Sequence, residues 1–116
     1  MARTTLTKTT KPGSYSGTGV KVTMTGGDTT DQNQFKSTGS DLVVAHNTDS
    51  SAHTVTINST DDRFGRKEDI DAYSIPAGEI HVFGPFETHG WQQPDGNIYL
   101  EADSATVELG IINVER

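Results

Sequence analysis

Asp41-Leu42-Val43-Val44-Ala45-His46-Asn47, followed after five polar or small residues by His53-Thr54-Val55-Thr56-Ile57-Asn58, is the stretch that decides the fold class. Both runs are rich in β-branched residues, too short for a stable helix, and separated by Asp49 and Ser50, which favour turns. A hairpin centred between those two residues would set Leu42 opposite Ile57, Val44 opposite Val55 and His46 opposite His53 on one side. Thr54, Thr56 and Asn58 would then face water.

Working outward, the same alternation and punctuation recur. Toward the C-terminus, Tyr73-Ser74-Ile75 meets the turn Pro76-Ala77-Gly78, then Ile80-His81-Val82-Phe83 runs into Gly84-Pro85-Phe86, which bends or ends a strand. The turn Gln93-Pro94-Asp95-Gly96 precedes Asn97-Ile98-Tyr99-Leu100-Glu101, and Ala105 to Ile111 alternates and continues through Val114. Toward the N-terminus, Val20-Lys21-Val22-Thr23-Met24-Thr25 predicts a half-buried strand ending at Gly26-Gly27-Asp28, followed by a loop-like connection past Phe35 to Gly39-Ser40. No window has the length and period of a sizeable helix. The expected fold is all-β: a small β-sandwich or jelly-roll-like body of about six to eight short strands.

Residues 1–19 are mostly Thr, Lys, Ser and Gly, with too little apolar surface to fold alone. They are expected to form a flexible, extended N-terminal arm ahead of a single domain over 20–116. Arg3, Leu6, Lys8, Lys11 and Tyr15 are the candidate partner-binding residues of that arm, the alternative being a frayed terminus without a role. On this reading, removing Met1 to Lys11 weakens partner binding and leaves the body folded.

Composition narrows the classes. The chain has 116 residues, of which 31% are hydrophobic, and a mean hydropathy of −0.56, so its one core must be thin. It has no cysteine, which removes disulfides and thiolate metal sites, and a thin unstapled core points to stabilisation by partners. Nine basic and sixteen acidic residues give a net charge of −7. Arg3, Lys8, Lys11 and Lys21 are the only charges in the first 21 residues, so the remainder is strongly acidic. An acidic body argues against nucleic acid as a partner. The absence of a signal-like start or a long apolar run implies a soluble protein made in a cytoplasm, with no membrane partner.

No constellation predicts an enzyme. His46 and His53, side by side across the hairpin, would begin a zinc site, yet no third ligand is fixed by local spacing. The loop from Thr60 to Asp71 carries Asp61, Asp62, Glu68, Asp69 and Asp71 but lacks the alternating calcium-loop pattern, and Arg63, Arg66 and Lys67 favour local ion pairing. Neither reading assigns a metal or cofactor. Glu79 with Glu87, or Asp95 with Glu101, would have to stand at a set separation to cleave a glycoside, which sequence does not specify. There is no Gly-x-Ser-x-Gly elbow. Gly17-Thr18-Gly19 precedes an alternating run rather than a helix, so no helix terminus awaits a phosphate. Asn58-Ser59-Thr60 is a formal glycosylation sequon without a secretory signal. Trp91 is either a lid on the core or an exposed contact.

The pieces Leu42-Val43-Val44-Ala45-His46-Asn47, Thr54-Val55-Thr56-Ile57, Ser74-Ile75-Pro76-Ala77-Gly78 and Phe83-Gly84-Pro85-Phe86 together resemble small head decoration proteins of tailed bacteriophages. The resemblance covers Asp41 to Phe86. It implies a sandwich or jelly-roll body on the outside of a capsid, commonly a trimer, with extended arms over the major capsid protein. The expected function is therefore capsid decoration or cementing in the virion, with no catalytic residues carried over. The alternatives are another virion component, such as a tail, connector or fibre module, or a stand-alone carbohydrate- or host-surface-binding module. The last would need exposed aromatics and convergent polar groups, for which Trp91 and Tyr99 are the available rings.

Overall fold

A computed structural model describes residues 3–10, 17, 19–60 and 69–114. Their regular elements are all strands: β1 (Thr4–Thr5), β2 (Lys8–Thr10), β3 (Thr25–Gly26), β4 (Asn33–Lys36), β5 (Asp41–Asn47), β6 (His53–Ile57), β7 (Ile70–Ile75), β8 (Ile80–Phe86), β9 (Asn97–Ala102) and β10 (Val107–Asn113). One sheet has the order β1-β4-β9-β6-β7; the other has the order β2-β10-β5-β8, with β3 also paired to β10. The expected all-β sandwich is thus what the chain forms.

The core lies between the two sheets. Val43, Ala45, Phe83, Phe86, Val107, Leu109 and Ile111 of the second sheet meet Phe35, Val55, Ile57, Ile75, Ile98, Leu100 and Ala102 of the first. Strict alternation on β9 and on most of β10 puts one face of each strand inside. Trp91 packs edge-on against Phe86, with ring centroids 4.8 Å apart, so it closes the core as a lid.

The central hairpin does not form. β5 pairs with β10 and β8, whereas β6 pairs with β7 and β9 in the opposite sheet. The five residues between them arch over the end of the sandwich. Asn47 holds the arch: fully buried, it donates from Nδ2 to the carbonyls of Ser51 (2.8 Å) and Ile75 (2.9 Å) and accepts from the Asp49 amide. The inward face of β5 is also shifted by one residue from expectation, to Asp41, Val43, Ala45 and Asn47. Leu42-Val43-Val44-Ala45 is apolar on both faces, so periodicity alone does not choose between them.

The N-terminal residues are extended, but residues 3–10 do not stand apart from the domain. β1 runs parallel to β4, and β2 runs parallel to β10. Between them the chain crosses from one sheet to the other, and Leu6, 4% exposed, enters the core at the crossing. Thr is a good strand residue, and an edge strand is held by its backbone, so one leucine suffices to anchor the run. The boundary drawn at residue 19 therefore divides elements that share sheets; residues 11–16 lie outside the description.

Two further expectations change: the stretch read as a loop-like connection before Gly39 contains β4, which lies between β1 and β9, and the strand over Val20 to Thr25 does not form as read. Val20 to Met24 is not a ladder strand; only Thr25–Gly26 pairs with β10. Val22 to Met24 instead crosses the outer face of β10 at Gly110, where an added Cβ would stand 2.5 Å from the Met24 sulfur and 3.0 Å from Val22. Glycine is required there by close approach. Gly84-Pro85 bends β8 without ending it: the register against β5 shifts between Asp41 and Val43, with Gly84 at φ +104° and the Gly84-Pro85 peptide cis. This bulge turns both Phe83 and Phe86 inward although they are three residues apart.

Candidate functional site

The structure gives the candidate arm residues internal roles where it describes them. Arg3 donates to the carbonyls of Asn33 and Leu100, pairs with Glu101 at 3.0 Å and stacks 4.1 Å above the Tyr99 ring. Leu6 is core. Lys8 shares the inward register of Ile111 and reaches the buried carboxylate of Asp41 at 3.1 Å. Lys11 and Tyr15 lie outside the described residues.

His46 and His53 are on different sheets and are not brought together. His46 sits opposite Glu108 on the outer face of the second sheet. His53 is clamped between Asp49 (Nε2 to Oδ2, 2.7 Å) and Asp103 (Nδ1 to Oδ1, 3.0 Å), joining the arch to the β9–β10 turn. Asp49 chiefly, with the charge of Asp103 behind it, raises the affinity of His53 for its proton above the ordinary histidine value of 6.5, and Asp49 is itself held below the usual carboxylate range. Because the folded protein holds this proton more tightly than the unfolded chain, protonation favours the fold. The contribution is fully present below about pH 6.5, the unfolded value, and is lost as pH rises through the higher folded value. In melting curves from pH 5.5 to 8.5, wild type should lose more stability with rising pH than His53→Gln; parallel profiles would remove the clamp as the cause.

The remaining candidates are engaged locally. His81 bridges Tyr73 (2.9 Å) and Glu79 (2.9 Å), and His89 is exposed. Among the described residues, no group of three His, Asp or Glu side chains is placed to hold a metal ion. Asp95 accepts from the Tyr99 hydroxyl at 2.7 Å, and Glu101 is the partner of Arg3, so neither carboxylate of that nominated pair is unengaged. Asp69 accepts from the Ser59 amide and hydroxyl; residues 61–68 of the charged loop lie outside the description.

Two surfaces stand out. The first is the outer face of the second sheet along β8, an edge strand. Ile80 and Val82 project from it 59% and 58% exposed, the two most exposed large apolar side chains described. Val82 neighbours half-buried Val44, which neighbours Gly110 under the Val22–Met24 segment; Leu42 and Ile112 form a parallel apolar pair. Beside Ile80 the strip ends at His46 and Glu108. Sequence reasoning missed this face because it turned Leu42 and Val44 inward.

The second is a polar cleft of about 760 Å³ on the first sheet, formed where β6, the segment after β8 and β9 meet. Asn58, Ser59 and Thr60 make one wall, Gln92, Gln93 and Pro94 another, with Tyr99 and Asp69 completing it. These residues are far apart in sequence, and only strand order assembles them. The walls are cross-tied: Thr60 donates from its amide to Gly90 (2.7 Å) and from its hydroxyl to Gln92 (3.3 Å), the Gln93 amide donates to Asn97 (2.7 Å), and the Asn58 amide donates to Tyr99 (3.0 Å).

No protein-family model, curated protein or solved structure matches this chain.

Proposed function

We propose that this protein is a structural component of a virus particle: a decoration or cementing protein that binds the outer surface of a tailed-phage head and stabilises the junctions between subunits of the major capsid protein. The observation that carries this reading is the apolar strip of Ile80, Val82, Val44 and Leu42 beside the edge of β8 that is unpaired among the described residues. Pro85 and the bulge at Gly84 blunt one end of the β8 edge, whereas the Ile80–Val82 end carries neither device and is apolar. An exposed apolar edge is what a subunit keeps when a neighbour completes it. The resemblance of Asp41 to Phe86 to phage head proteins supplies the identity of that neighbour. The working unit is a homo-oligomer, three copies being the number that resemblance implies, and many copies on one shell turn modest contacts into firm attachment.

Cosedimentation with capsids from the same source that lack the protein tests this. Wild type should bind at many sites per particle. Ile80→Lys/Val82→Lys, altered only at exposed positions, should keep its melting temperature and bind at least tenfold more weakly, as expected for losing a central apolar anchor worth about 2 kcal/mol. Saturation at a few copies would assign the protein to a tail or connector position. No binding, or unchanged binding by the double variant, would overturn the reading.

A further inference from the structure

We infer that two copies of this chain pair edge to edge through the first half of β8, antiparallel about a two-fold axis at His81, so that their second sheets join into one. Backbone groups along a strand point alternately to either neighbour. The Asn47 amide bonds the Glu79 carbonyl on the β8 side of β5, and the Thr48 amide bonds the Thr106 carbonyl on the β10 side. Ala45 and Val43 therefore bond His81 and Phe83, while the amides and carbonyls of Ile80 and Val82 point away from β5. Among the described residues nothing pairs with them, and an incoming strand finds a regular ladder to extend. The other edges are poorer templates. β1 and β2 have two and three residues, and β7 is interrupted by Ala72 at φ +48° and a register shift against β6.

Charge complementarity makes the incoming strand a second copy. Two chains of net charge −7 approach best where no carboxylate meets its like, and β8 contains no Asp, Glu, Lys or Arg. With the axis at His81, Ile80 of each copy lies opposite Val82 of the other, His81 meets its copy, and Glu79 lies opposite Phe83. The two Glu79 residues then stand four strand residues apart, about 13 Å, beyond the Debye length of about 8 Å at physiological salt. An axis at Ile80 would roughly halve that separation along the strand. An axis at Val82 would run the ladder into the bulge at Gly84 and into Pro85, which has no amide to donate. Tyr73, 39% exposed and edge-on to His81 at 5.4 Å between ring centroids, adds ring surface beside the axis. Capsid attachment uses the side chains of the outer face and pairing uses the backbone edge, so a paired copy keeps its strip, and the two strips run together across the axis. The three-fold unit that the resemblance implies would have to use another surface.

The test uses the isolated full-length protein and no capsid. In sedimentation equilibrium from micromolar to millimolar protein, the average mass should rise reversibly from one chain toward two. The chain has no cysteine, so introduced cysteines report the register. At the axis the two Cα atoms of position 81 stand about 4.5 Å apart, whereas position 80 and its copy stand about 9 Å apart, beyond the limit of about 7 Å for a disulfide. On oxidation His81→Cys should give a disulfide-linked dimer. Ile80→Cys and Val82→Cys should crosslink to each other when mixed, and neither should crosslink alone. The mixture keeps His81, so it decides the matter even where His81→Cys fails to fold. A mass that stays at one chain, a rise to three chains without these crosslinks, or equal crosslinking of Ile80→Cys alone and mixed would overturn the pairing. A monomer that still saturates capsids would overturn it and leave the attachment reading standing.

Discussion

Asp41→Ala is expected to destabilise the protein by roughly 3 kcal/mol, because it removes the centre of a buried network and leaves a lysine without its counter-charge. The Asp41 side chain is fully buried at one end of the sandwich. Its oxygens accept from Lys8 Nζ (3.1 Å), the Thr38 amide (2.9 Å) and hydroxyl, and Asn113 Nδ2 (3.2 Å). Alanine would take the acceptor from the Lys8 ammonium and from the Thr38 amide and hydroxyl, while Asn113 Nδ2 keeps its bond to the Thr38 hydroxyl oxygen. The figure is at the low end for a broken buried pair because the Lys8 side chain keeps 21% of its surface in contact with solvent. For a domain of this size the melting temperature should fall by about 12 °C. Lys8→Met/Asp41→Ala should recover part of the loss by removing the stranded ammonium. A single variant melting within a degree or two of wild type would show the network to be marginal.

Deletion of residues 1–10 should have the larger effect and abolish cooperative unfolding altogether. It removes two strands, one from each sheet, together with the Leu6 anchor and the Lys8 partner of Asp41. Leu6→Ala alone should cost about 3 kcal/mol, since truncating a buried leucine loses transfer energy and opens a cavity. Adding roughly 3 kcal/mol for the broken ion pair brings the loss into the range of a small domain's entire stability. Thermal unfolding followed by far-ultraviolet circular dichroism distinguishes the cases. A truncated chain with a sharp transition near that of wild type would mean that the N-terminal strands are accessories to a body that folds without them. The expected outcome is thus the opposite of the expectation that Met1 to Lys11 can be removed without unfolding the body, and loss of particle binding by such a truncation would not distinguish misfolding from a lost contact. The Ile80 and Val82 substitutions avoid that ambiguity.

Some of this was legible from residue order alone. Alternating runs such as Asn97 to Glu101 and Ala105 to Ile111, punctuated by Pro76-Ala77-Gly78 and Gln93-Pro94-Asp95-Gly96, determined an all-β chain and located most of its strands, because strand periodicity and turn chemistry are local properties. The outward direction of Thr54 and Thr56 was equally plain. Pairing was not. Whether five residues after Asn47 fold back as a hairpin or arch to the opposite sheet depends on what lies beneath them, and here a buried asparagine binds the Ser51 and Ile75 carbonyls. The same limit hid the N-terminal strands, since Thr-rich segments become strands only when an existing edge offers its backbone. It hid the cleft as well, whose walls come from residues 58–60, 69, 92–94 and 99. Local pattern thus determined what each segment is, and tertiary packing alone decided which segments meet, because strand pairing and burial are long-range contacts that a period of two leaves open.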